Sequence, residues 1–206
     1  TVSGYLFNIA KRGKDYVLSV AFDERLIVLF KEVRNLVWLG YRVPFAITLL
    51  SSSVKQVYPF VVSLRQIVRT YNQCNADVTD SCQLLVEGHH RDVQQILSGA
   101  IKLKWSASYK LQPLVESLQK AVSAYKSALK QALEATAAVD ACIDQLSTCA
   151  YDMDDMKQIM SEIQKRADAL DLAGMSNLVY WAKSINQRVE QVLTKRLVGA
   201  LDGFSV

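Results

Sequence analysis

The chain has 206 residues, half of them hydrophobic and about a fifth charged, with only 8 Gly and 3 Pro. That composition excludes a disordered or collagen-like chain and points to one large domain or two small ones built from long helices. The net charge of +4 is uneven: residues 1–70 carry ten Lys/Arg against four Asp/Glu, the remainder fourteen against sixteen. No dense cationic stripe with interleaved aromatics is present, so nucleic acid is not the expected partner.

Residues 4–22 differ in character from the rest of the chain. "GYLFNIA" and "DYVLSVAF" are short and rich in β-branched and aromatic residues, separated by "KRGK". They predict a β-hairpin, with Gly13 at positive φ in its turn. A lone hairpin is marginal in water, so this one is expected to pack on the helices.

A first helix starts at Asp23, a capping residue with Glu24 in the first turn. Leu26, Leu29, Phe30, Val33, Leu36 and Val37 share one face. Ile27 and Trp38 lie on another flank near Lys31 and Arg34, which predicts a helix covered twice, by its own bundle and by the hairpin or a partner. Gly40 is the expected residue past the helix end. Pro44 then forbids continuation and restricts Val43. Residues 45–57, with "SSS", read as an irregular or short helical connector.

Pro59 suits the first position of a second helix running to about Asn75. A third is predicted from Asp80 or Ser81 to about Trp105, with Gly88 and Gly99 inside it each costing about 1 kcal/mol against Ala, which points to a bend or to close packing there. The fourth begins near Leu111 with Pro113 in its first turn. Leu111, Leu118, Tyr125, Ala132, Val139 and Leu146 form one seven-residue series; Val115, Val122, Leu129, Thr136 and Ile143 form the other. Such a seam predicts one long helix of an antiparallel bundle, favoured over a free dimeric coiled coil because helices flank it closely.

A fifth helix opens at "YDMDDM", with a stripe of Met156, Ile159, Met160, Ile163 and Ala167. Gly174 ends it and Ser176 is expected to cap the last. There Leu178, Trp181, Ala182, Ile185, Val189, Val192 and Leu193 form the inner side, with Lys195 and Arg196 near its end. The expected fold is therefore mainly α: elongated antiparallel helical bundles with an N-terminal β-hairpin. Its portions are residues 1–22, 23–110 and 111–206 of one continuous segment.

Chemistry-bearing clusters are sparse. Cys74, Cys82, Cys142 and Cys149 form no CxxC pair and read as reduced, buried thiols of a cytosolic protein. Cys74, Cys82 and His89 make a loose set of non-standard metal spacing, while His89 and His90 diverge by about 100° on a helix; no metal is expected. Asp152, Asp154 and Asp155 lack the Gly and terminal Glu of a calcium loop and read as helix capping. No phosphate-binding, dinucleotide or hydrolase motif occurs, so neither catalytic residue nor cofactor is expected. No apolar run approaches ~18–20 residues, so no membrane span is predicted. The opening Thr1 suggests a piece of a longer chain. Surfaces remain: Ile27 and Trp38, with Arg34, Arg42, Arg65 and Arg69 as charged neighbours, form the candidate partner-binding set, and Tyr180 lies beside Trp181.

"VAFDERLIVLFKEVRNLVWLGYRVP" resembles the N-terminal stem of dynein heavy chains, with Phe22, Asp23, Leu26, Glu32, Val33, Leu36, Leu39, Gly40, Val43 and Pro44 as matching residues. The form around "KEVRNL" is most similar to cytoplasmic dynein. So are Tyr58 to Tyr71, the set Trp105, Ser108, Tyr109, Lys110, Leu111, Pro113, Val115 and Leu118, and Ser176 to Trp181. In order, these marks cover about residues 3 to 201. The resemblance implies a noncatalytic helical tail outside the motor, with ATP bound only elsewhere in the parent chain. It implies homodimerisation and docking of intermediate and light intermediate chains, with dynactin, adaptors and cargo beyond, in the cytoplasm on microtubules. The competing expectations are a membrane- or vesicle-tethering bundle, an axonemal dynein tail, and a small helical metalloenzyme.

Overall fold

The computed structural model describes residues 4–12, 15–149, 152–172 and 175–204; Gly13 and Gly174, expected at a turn and a helix end, lie outside them. Six α-helices and one antiparallel hairpin occur among the described residues. Strands β1 (Phe7–Arg12) and β2 (Asp15–Val20) pair in register from Phe7 opposite Val20 to Arg12 opposite Asp15. Phe7 and Leu18 share the buried face.

The hairpin is fastened by a segment that the periodicity assigns to a helix. The third helix stops at Ala100, five residues short of the expected Trp105. Beyond it "IKLKW" alternates apolar and cationic residues with strand period. Tyr5 bridges Lys104, the Leu6 N–H donates to the Leu103 carbonyl (3.1 Å), and the Trp105 N–H donates to the Gly4 carbonyl (3.0 Å). Trp105 is buried, donates its indole N–H to the Ala21 carbonyl (2.7 Å), and meets Phe22 edge to face at 5.4 Å. Truncating a Trp so placed costs about 3–5 kcal/mol.

Helix α1 (Glu24–Trp38) is capped by Asp23, whose carboxylate accepts the Arg25 N–H at 3.0 Å. The Arg25 guanidinium and then that N–H hold the Asp23 carboxyl below its usual range. The helix stops by paired reverse bonds, Tyr41 N–H to Leu36 carbonyl and Gly40 N–H to Val37 carbonyl, with Gly40 at φ +80°. Burial corrects the expected inner face. Val33 is buried, and Leu26, Leu29 and Phe30 are half-buried, but Leu36 and Val37 are exposed.

The expected irregular or short helical connector at 45–57 is instead the first part of a long helix. Helix α2 runs unbroken over Phe45–Asp77 with Pro59 inside it. Its buried positions, Ser51, Val54, Val57, Val61, Leu64, Ile67, Val68, Tyr71 and Cys74, keep helical spacing through the serines and the proline. Pro59 removes one donor, and the carbonyl it would have bonded belongs to Lys55, an exposed residue. The Ser53 hydroxyl bonds back to the Leu49 carbonyl at 3.0 Å. This helix is also long and apolar enough, by length and composition, to cross a membrane. Ser51 to Ser53 and Lys55 interrupt its apolar run.

Helix α3 spans Asp80–Ala100, α4 Leu111–Thr148, α5 Met153–Leu172 and α6 Leu178–Phe204. All eleven seam positions predicted for α4 are buried. The Thr136 hydroxyl in that seam donates to the Ala132 carbonyl at 2.8 Å. In α5 the stripe is thinner than expected: Ile163 is buried, Met160 exposed.

The chain divides into two compact units. One joins Thr1–Ala76 with Arg91–Ala124, its core drawn from Leu6, Phe7, Val61, Leu64, Trp105 and Leu118. The other joins Asp77–His90 with Tyr125–Val206, its core drawn from Leu85, Val86, Tyr125, Leu146, Trp181 and Ile185. In this second unit Arg188 pairs with Asp140 at 2.7 Å. Arg196 donates to the carbonyls of Leu146 and Cys149, capping the end of α4.

Ser176, expected to cap α6, instead faces α3. Its N–H donates to the Leu85 carbonyl, and its hydroxyl accepts from the Gly88 N–H at 3.2 Å. Asn177, at φ +53°, supplies the first carbonyl of α6. A Cβ on Gly88 would stand 2.1 Å from the Ser176 hydroxyl, whereas one on Gly99 meets nothing. Gly99→Ala should therefore stabilise the protein by about 0.5–1 kcal/mol, the helix-propensity gain. Gly88→Ala should destabilise it despite the same gain, and urea unfolding of the pair checks both signs. Gly40→Val, forced to positive φ, should cost about 1–2 kcal/mol in the same assay.

Candidate interaction surface

Polar chemistry is dispersed. No group of three His, Cys, Asp or Glu able to hold a metal occurs among the described residues. Cys74 and Cys82 are buried, whereas Cys142 and Cys149 are only half-buried, against the expectation for all four. Cys82 is tied to Thr79, whose N–H and hydroxyl both lie 3.3 Å from its sulfur. His89 and His90 are both half-buried. The His90 ring lies 5.7 Å from that of Tyr125. Burial pushes the His90 pKa below its ordinary value, against the opposing pull of Glu87. Asp152 accepts the Asp154 N–H at 3.0 Å and Asp154 pairs with Lys157, so these carboxylates serve the start of α5.

The distinctive feature is apolar and lies in the first unit. Val37, Trp38, Leu39, Tyr41, Phe45 and Leu49 are each more than half exposed, Trp38 at 84% and Phe45 at 80%. Six large side chains within thirteen residues, at the end of α1 and the start of α2, exceed ordinary surface scatter. Cations frame them: Lys31, Arg34, Arg42 and Lys55 are exposed, and Glu32 is the sole acid in residues 31–70.

The six residues singled out in the sequence fall into two groups. Ile27, Arg34 and Trp38 lie along one side of α1 with Lys31 between, Ile27 half-buried and the other two exposed; exposed Arg42 follows the turn. Arg65 and Arg69 are elsewhere. Arg65 pairs with Glu24 at 3.0 Å, at the opposite end of α1 from Trp38, ~21 Å along a helix of that rise. Both arginines line a groove with Val17 to Val20 of β2. Tyr41, Phe45 and Leu49 are absent from the sequence-derived set. Their signal is the spacing of four between Phe45 and Leu49, hidden once 45–57 is taken as a connector.

Residues 3–113 match the family model described as "Dynein heavy chain, N-terminal region 1". The chain is 37% identical over 203 residues to "Dynein heavy chain, cytoplasmic" of Dictyostelium discoideum, covering 98% of this chain and 4% of that protein. It is 34% identical to the protein of that name from Drosophila melanogaster, over 94% of this chain and 4% of that one. The Neurospora crassa counterpart is 31% identical over 99% of this chain and 5% of its own length.

The chain belongs to the dynein heavy chain family. It is a segment of the N-terminal, tail region, and spans only a small fraction of the length of the heavy chains it matches. The matched region holds the hairpin, α1, α2, the Trp105 fastening and every residue of the exposed apolar surface.

The depressed His90 pKa has a sign. With the folded value below the unfolded one, ~6.5, the unfolded state takes up the proton first. The His90 contribution is complete above that pH and is lost as pH falls through it towards the folded value. Melting should be lower at pH 5.5 than at pH 7.5, and His90→Gln should narrow that gap in differential scanning calorimetry.

Proposed function

We propose that this segment is a noncatalytic scaffold in the tail of a cytoplasmic dynein heavy chain. In this reading it docks intermediate and light intermediate chains, and through them joins an ATP-driven microtubule motor to dynactin, adaptors and cargo. The parent chain works as a homodimer in the cytoplasm, and its ATP site lies in the motor, outside this segment. Membership in the family and the names of the cytoplasmic relatives support the setting. The observation that carries the docking role is the exposed apolar surface from Val37 to Leu49, framed by Lys31, Arg34 and Arg42. Aromatic anchors that become buried on binding, inside a polar rim, are the usual composition of a binding hot spot.

A second reading is favoured by α2 itself. Its length and apolar composition, with Phe45, Leu49 and Val62 exposed, also suit a tethering helix at a lipid surface.

Purified intermediate and light intermediate chains, tested one at a time against this segment, decide the matter. Trp38→Ala and Phe45→Ala should each weaken binding by about 2 kcal/mol, roughly thirtyfold, in calorimetric titration. Neither should move the melting temperature much, because both side chains are exposed. Failure of both chains to bind the unmodified segment would remove the docking role. Sedimentation with phosphatidylserine vesicles, lost on the same substitutions, would put the lipid reading in its place.

A further inference from the structure

A two-stranded sheet has two outer edges, and this one closes only one of them. The edge of β2 is occupied by a side chain: the Asn72 amide donates to the Leu18 carbonyl at 2.8 Å and its oxygen faces the Leu18 N–H at 3.4 Å. Asn72 thus takes the place of a third strand.

The same contact fixes the opposite edge. Leu18 turns its backbone groups away from β1, so Leu18 and Ile9 form a pair of the non-hydrogen-bonded kind. The Ile9 N–H and carbonyl therefore point out of β1, and the two-residue alternation makes Lys11 do the same. No hydrogen bond reaches either outward pair among the described residues. Burial repeats the asymmetry. Ile9 shares a face with Phe7 and Leu18, yet Leu18 is 8% exposed and Ile9 55%.

We propose that the open edge of β1 receives an extended segment of a partner protein, alternating apolar and acidic residues, as an added strand. Its N–H groups donate to the carbonyls of Ile9 and Lys11, and its carbonyls accept from their N–H groups. An apolar side chain covers Ile9. The acidic character follows from charge: residues 1–14 contain Lys11, Arg12 and Lys14 and no acid. A second copy of this chain lacks that complement, and a six-residue pairing alone falls well short of the ~1,200 Å² of a stable dimer. Lysine on an edge also discourages self-pairing. This edge is separate from the Trp38 surface and independent of the docking role assigned there.

The test uses the whole 206-residue chain and a short, dye-labelled peptide alternating valine with glutamate. Binding should raise the peptide's anisotropy and slow hydrogen exchange at the Ile9 and Lys11 amides in nuclear magnetic resonance spectra. Ile9→Pro removes an edge donor but no rung of the β1–β2 ladder, so it should weaken binding by about tenfold or more with the melting temperature kept. Lysine in place of glutamate in the peptide should weaken it similarly. N-methylation of alternate peptide amides tests the pairing without altering the protein: one set should abolish binding and the other leave it. Equal binding by both methylated peptides, equal binding by the lysine peptide, or no protection at Ile9 overturns the proposal. So does a dimer of the chain that Ile9→Pro dissolves, since the edge would then belong to a second copy.

Discussion

A helix of thirty-eight residues with an apolar seam along its whole length must cover that seam or lose its order in water. All eleven seam positions of α4 are covered. Where the seam narrows to Ala132 and Thr136, the hydroxyl turns back to its own helix and leaves no unpaired polar group. Other contacts follow from keeping this helix buried and ended. Arg196 holds its last carbonyls, Arg188 meets Asp140, and the Tyr125 ring rests near His90.

The hairpin depends on a parallel constraint. Two short strands do not stand alone, so Trp105 and the segment from Leu103 grip them by backbone pairing, an indole hydrogen bond and the Phe22 ring. Surface ion pairs add little beside this: Arg65 with Glu24 is partly solvated and is worth at most about 1 kcal/mol.

Against such thorough burial, the uncovered groups stand out. The end of α1 and the first turns of α2 leave six large apolar side chains in water, and β1 leaves backbone groups without partners among the described residues. For a segment of a dynein heavy chain tail these are the places where the chain's own packing stops. A basic surround at both sites bears on which partners fit.

Much was legible from residue order alone. The hairpin, the Asp23 cap, the Gly40 stop and the whole α4 seam follow from local rules, because each depends on residues near in sequence: φ limits, capping oxygens, repeats of seven. Family membership was legible too, in the spacing of "KEVRNL" with its Leu-Gly and Val-Pro. The misreadings share one cause. Pro59 and the serines argue locally against a helix, yet Val54, Val57, Val61 and Leu64 win burial only if α2 continues. Trp105 continues a helical pattern, yet it leaves the helix because Ala21 and Phe22, over eighty residues away, offer its ring a site. Ser176 looks like a cap, yet Gly88 leaves room for it across the unit. The identity, the helix count and the long seam were therefore set by the sequence itself. Tertiary structure alone decided which apolar groups remained in water, because exposure depends on what other, distant parts of the chain arrive to cover.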